Sequence, residues 1–89
     1  MSKEMYFMIP NNPDKTEFIA IKRSQIMTFN KLPIHSVFIW GEGCKFLKLK
    51  DAEVGVGMSK QPTNCLNLQN LHYCTMTSKH SCVLLSQQS

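Results

Sequence analysis

Residues 36–50 read S-V-F-I-W-G-E-G-C-K-F-L-K-L-K, and the fold turns on how this stretch is read. Val37 to Trp40 are β-branched or aromatic, Gly41-Glu42-Gly43 supplies positions that tolerate positive φ, and Cys44 to Lys50 runs back as a second β-prone segment. That is a β-hairpin. In its returning arm Lys45, Leu47 and Leu49 oppose Phe46, Lys48 and Lys50, so Phe46 and the leucines fall on different faces. Apolar groups on both faces, in a sheet that also bends, suit a small closed barrel better than an open one-sided sheet.

Upstream, M-Y-F-M-I, P-N-N-P-D-K-T and E-F-I-A-I-K read as strand, turn and strand, because Pro and Asn set turn dihedrals between two β-prone runs. A helix over residues 17–27 is the competing reading, with Asp14 as a possible cap, but the apolar residues come as adjacent pairs and suit a strand. Downstream, D-A-E-V-G-V-G-M-S-K-Q-P-T has two glycines, a proline and little periodicity, and reads as a long loop over 51–63. The following N-C-L-N-L-Q-N puts Leu66 and Leu68 on one strand face and Cys65 on the other. The expected class is all-β or nearly so: a single antiparallel domain over residues 1–85 with an N-terminal β-hairpin, followed by a polar tail, 86–89. Its expected core includes Ile26, Val37, Ile39, Leu47, Leu49, Leu66 and Leu68.

The composition of the 89-residue chain, 43% hydrophobic and 18% charged, is that of one small globular domain rather than a disordered segment. Such a domain has a modest core and marginal stability. The net charge of +4, with lysines at 45, 48 and 50, permits an anionic partner, although lysines spread along a strand equally protect a sheet edge. Lys3 and Glu4 precede a short apolar stretch that Pro10 ends, which fits neither a secretory signal nor a membrane span. A cytoplasmic location is expected. There Cys44, Cys65, Cys74 and Cys82 are expected as free thiols or ligands rather than disulfides.

Leu32-Pro33-Ile34-His35-Ser36-Val37-Phe38, then Phe46-Leu47-Lys48-Leu49, then Asn64-Cys65-Leu66-Asn67-Leu68 form a recurring pattern of short motifs. The run resembles a family of small bacteriophage accessory proteins with SH3-like β-barrels. Members typically show a Leu-Pro entry, an aromatic-apolar-Lys-apolar strand and an Asn-small-apolar-Asn-Leu strand; His35 stands where they usually carry glycine. The resemblance covers the middle half of the chain. It implies an SH3-like barrel, a viral origin and hence the host cytoplasm, and no assigned chemistry.

Residues 72–82, H-Y-C-T-M-T-S-K-H-S-C, contain His-x-Cys twice. If Leu71 to Met76 paired with His80 to Leu85 around a three-residue loop, Cys74 would stand opposite Cys82, and His72 and His80 would share their face as zinc ligands. That depends on one register, and no Cys-x-x-Cys accompanies it. The plainer reading makes the cysteines packing groups and the histidines surface residues, with no metal or other cofactor. Cys–His pairing here has no supporting nucleophile signature, and Val54-Gly55-Val56-Gly57 lacks the third glycine and helix of a phosphate loop, so no enzyme is expected.

Two functions follow as expectations. One is a non-enzymatic phage accessory protein that binds a host protein or a small signalling molecule and blocks a host process such as antiviral defence. The other is a basic nucleic-acid-binding barrel, using Lys45, Lys48, Lys50 and Trp40. The expected binding residues are Trp40 and Lys48 on a sheet face and Val54, Val56 and Met58 in the 51–63 loop, where apolar groups between glycines pack beneath the loop or meet a partner or a second copy of the chain.

Overall fold

A computed structural model of the chain describes residues 5–87. Lys3 and Glu4, read above as evidence against a leader, and the last two residues of the tail lie outside them. The chain is antiparallel β throughout: β1 (Tyr6–Pro10), β2 (Phe18–Lys22), β3 (Ile26–Thr28), β4 (Ser36–Trp40), β5 (Cys44–Lys48), β6 (Cys65–Asn67), β7 (Tyr73–Cys74) and β8 (Ser81–Gln87). Among the described residues only short 3-10 turns, at Arg23–Gln25, Phe29–Lys31 and Met58–Lys60, add helix. No helix among the described residues is long and apolar enough to cross a membrane.

β1 and β2 form a separate two-stranded hairpin, with Phe7 opposite Ile21 and Met8 opposite Ala20. The P-N-N-P-D-K-T turn closes it as its composition requires. Asn12 Oδ1 accepts from the Thr16 and Glu17 backbone amides, Asn11 N–H donates to Glu17 O at 2.8 Å, and Lys15 takes a φ of 59°. Residues 17–27 are thus strand, 3-10 turn and strand, not helix.

The other strands form one sheet in the order β3-β8-β4-β5-β6-β7. β4 and β5 are the hairpin expected from residues 36–50, with Phe38 opposite Phe46 and Trp40 opposite Cys44 around the glycine turn. β8 enters between β3 and β4 and carries an irregularity at Leu85, where the register shifts between Val37 and Phe38. It runs to Gln87, opposite Ser36, and so takes residues 86 and 87 into the sheet beyond the boundary expected for the tail. β3 and β7 end the order, and no ladder joins them among the described residues.

The core occupies the face opposite to the one expected. Phe38, Phe46, Cys65 and Cys82 point inward from the strands, joined by Phe29, Leu32, Ala52 and Met76 from the connections. Phe38 stacks on Phe46 at 5.5 Å and meets Phe29 edge-on at 5.6 Å. Of the residues expected in the core, Ile39 alone is fully buried; Val37, Leu47, Leu49 and Leu66 are half-buried, and Ile26 and Leu68 are exposed. The reason is the pleat. With period-2 alternation the leucines and the phenylalanines must part, and the larger rings, which fill more volume against the connections, take the inside.

Ile39 and Ile21, both buried, stand outside this cluster. The turn of the first hairpin abuts the turn of the second. Gly43, at φ +89°, packs so closely on the Asn12 backbone that a Cβ would overlap it, and Lys15 pairs with Glu42 at 3.0 Å.

Candidate functional site

Trp40 and Lys48 do share a sheet face, as even-numbered residues of one hairpin must, but that face is the inward one. Lys48 is wholly buried. Its Nζ donates to the carbonyls of Phe29 at 2.9 Å and Leu32 at 2.6 Å, pairs with the Asp51 carboxylate, and lies 4.8 Å from the centre of the Phe29 ring. Lys48 is therefore a fastener between β5 and the 29–32 turn and offers no charge to a ligand. Trp40 lies at the other end of the ladder, partly exposed, with its ring 6.4 Å from Phe46 and 5.4 Å from His80. Lys45 is half-buried on the opposite face and Lys50 is exposed, so the three lysines do not make one basic surface.

The 51–63 loop is ordered from beneath by amide side chains. Asn30 holds Ala52 through paired bonds, its Nδ2 donating to Ala52 O at 3.0 Å and its Oδ1 accepting from Ala52 N–H at 2.8 Å. Gln61, itself buried, accepts from Glu53 N–H and donates to the Glu53 and Val56 carbonyls, all within 2.9 Å. Held this way, the loop leaves Val54 and Met58 exposed, with Val56 half-buried between them.

The His-x-Cys duplication does not fold on itself. β7 pairs with β6 and β8 with β3 and β4, so Cys74 stands opposite Cys65, and Cys82 opposite Met27. The register that would have placed Cys74 across from Cys82 is not formed, because the connection after β7 carries the chain back to the sheet on the far side of β4. His80 Nδ1 is engaged by Thr77, 3.0 Å from its amide and 2.7 Å from its hydroxyl, while His72 is exposed. Among the described residues no His, Cys, Asp or Glu side chains gather in threes in a way that could hold a metal ion. Burial pushes the Cys82 thiol up to about 12, against a smaller downward pull from Lys48, and burial with the neighbouring Cys74 pushes Cys65 well up too. Both stay protonated at neutral pH, in the less nucleophilic form.

An exposed apolar surface that the strand pattern did not single out lies on the first hairpin. In β1 and β2 the face bearing Phe7, Ile9, Ile19 and Ile21 turns toward the body, and the face bearing Tyr6, Met8, Phe18 and Ala20 turns away. Tyr6, Met8 and Phe18 are 56%, 64% and 53% exposed. A pocket at the β2 end is lined by Met5, Lys22, Arg23 and Ser24. The sequence signal was present as unbroken apolar character in M-Y-F-M-I, which a two-stranded hairpin with only one side covered cannot bury. Compared with known proteins, the chain matches no family model, no curated protein and no solved structure.

Proposed function

We propose that the protein is a non-enzymatic binding protein whose working surface is the outward face of the β1–β2 hairpin, and that it takes an apolar segment of a partner protein. The observation that carries this reading is the exposure of Tyr6, Met8 and Phe18 together on one face. Contiguous exposed apolar side chains are the usual anatomy of a protein-docking patch. Among the described residues no ladder joins the hairpin to the larger sheet, and an extended partner segment adds to such a hairpin by backbone bonds.

Together with the resemblance to phage accessory barrels, this surface supports an inhibitor that occupies a host protein in the host cytoplasm, as in suppression of an antiviral defence. A nucleic-acid partner draws less support, because Lys48, the central cation of the expected basic face, is committed to the core.

The experiment uses Met8→Glu and Phe18→Glu, both at exposed positions. Each variant is expected to melt within a few degrees of the parent. Each should lose at least ~10-fold in affinity for the host protein captured by the parent, measured with purified components, and parental binding should weaken only modestly with salt. Retained affinity in both variants would move the function away from the hairpin; a steep salt dependence would point to a nucleic acid instead.

A further inference from the structure

Cys65 and Cys74 are directly opposite in the β6–β7 ladder, and their sulfurs lie 3.1 Å apart, in contact as free thiols. This closeness is built in. On one side of the pair Asn64 clamps the chain at Met76, its Nδ2 donating to Met76 O at 2.8 Å and its Oδ1 accepting from Met76 N–H at 2.9 Å. On the other, Asn67 N–H donates to His72 O at 2.8 Å while Asn67 Oδ1 caps the turn by accepting from the Gln69 and Asn70 amides. Register on both sides is thereby pinned. Directly opposed antiparallel residues have Cα separations of roughly 4.5–5.5 Å, inside the range a disulfide bridges.

The two thiols also differ in access. Cys65 is 0% exposed within the core, whereas Cys74 is half-buried on the edge strand β7. Cys44, also half-buried, and Cys82, buried, have no such partner sulfur in contact.

We propose that Cys65 and Cys74 form a reversible redox-modification site, in which a hydroperoxide converts the contact into a cross-strand disulfide. The Cys74 sulfur attacks one oxygen of the hydroperoxide and breaks the O–O bond. With hydrogen peroxide this gives a sulfenic acid on Cys74 and one molecule of water. The Cys65 sulfur then attacks the Cys74 sulfur; the S–O bond breaks, the hydroxide leaves with the Cys65 proton as a second water, and the S–S bond remains. Two thiols are oxidised by two electrons and one peroxide is reduced. A dithiol reductant reverses the change by exchange. The bond would tether β7, the two-residue edge strand, to β6 by closing a loop from 65 to 74, and so constrain the unfolded chain more than the folded one.

The test treats the reduced full chain with hydrogen peroxide, blocks the remaining thiols, and maps peptides without reductant. The expected result is one intramolecular link between Cys65 and Cys74, an intact mass lower by two hydrogens, a melting temperature raised by about 10 °C, and full reversal by dithiothreitol. Cys44→Ala should keep all of these. Cys74→Ala, at the sheet edge, should melt cooperatively and show neither link nor shift. Links involving another pair, covalent dimers, sulfinic acid on Cys74 with Cys65 still free, or a link that lowers the melting temperature would each overturn the proposal.

Discussion

At Lys48 an ammonium takes the place that water or a backbone amide would otherwise fill, satisfying the Phe29 and Leu32 carbonyls as the chain leaves its 3-10 turn. Its charge is balanced by Asp51, whose carboxylate is largely in water. Removing the lysine therefore costs less through the acid, which water solvates, than through the Leu32 carbonyl left inside; the Phe29 carbonyl still accepts from Leu32 N–H at 3.1 Å. Lys48→Met, close in length and apolar, is expected to lower stability by about 2–4 kcal/mol in urea unfolding, and adding Asp51→Asn should recover little of it. The thiols supply a second effect at this scale. The folded Cys82 thiol titrates near 12 against an ordinary 9.0, with burial the main cause, and Cys65 moves the same way. In that window the folded state holds protons the unfolded state has released, so the contribution is whole below 9.0 and is lost as pH rises toward 12. The melting temperature should fall steadily above pH 9.0, and Cys82→Ala, whatever its own cost, should flatten that decline.

Among the elements, the contact between the two hairpin turns fixes where the N-terminal hairpin sits. Gly41 and Gly43 both have positive φ, at 75° and 89°, but only Gly43 has the Asn12 backbone where a Cβ would go; Gly41 has open space. Gly41→Ala should cost only its backbone strain, ~1 kcal/mol. Gly43→Ala adds a steric conflict with a main chain that cannot yield, and is expected to cost at least ~2–3 kcal/mol while loosening the hairpin. Amide exchange of β1 and β2 would show it: faster in Gly43→Ala and unchanged in Gly41→Ala. His35 is the converse case. It holds a φ of 67° without being glycine, and its amide donates to Lys48 O at 2.8 Å.

Over the whole molecule, one sheet face and its connections make the principal core, so that core should answer unequally to changes on the two faces of the same strands. Phe38→Ala, at a wholly buried ring between Phe29 and Phe46, is expected to cost ~3–5 kcal/mol, enough to endanger a domain of this size. Leu66→Ala, half-buried on the other face, should cost under ~2 kcal/mol. Denaturant midpoints of the two variants, at equal slope, measure the difference. Strand positions, the glycine turn between β4 and β5, the Pro-Asn turn of the first hairpin and the loop over 51–63 were legible in the residues, because turn dihedrals and β-propensity act over a few positions. Neither the inward face nor strand partnership was legible. A period-2 pattern with Phe46 and Lys48 on one side and Leu47 and Leu49 on the other is apolar enough on both, and Phe29, Leu32, Ala52 and Met76 choose between them only once the connections have folded over one side. The same holds for the cysteines: nothing local in residues 72–82 says that Cys74 meets Cys65, nine positions back, and not Cys82, because strand pairing is a contest among distant edges that only the assembled sheet decides.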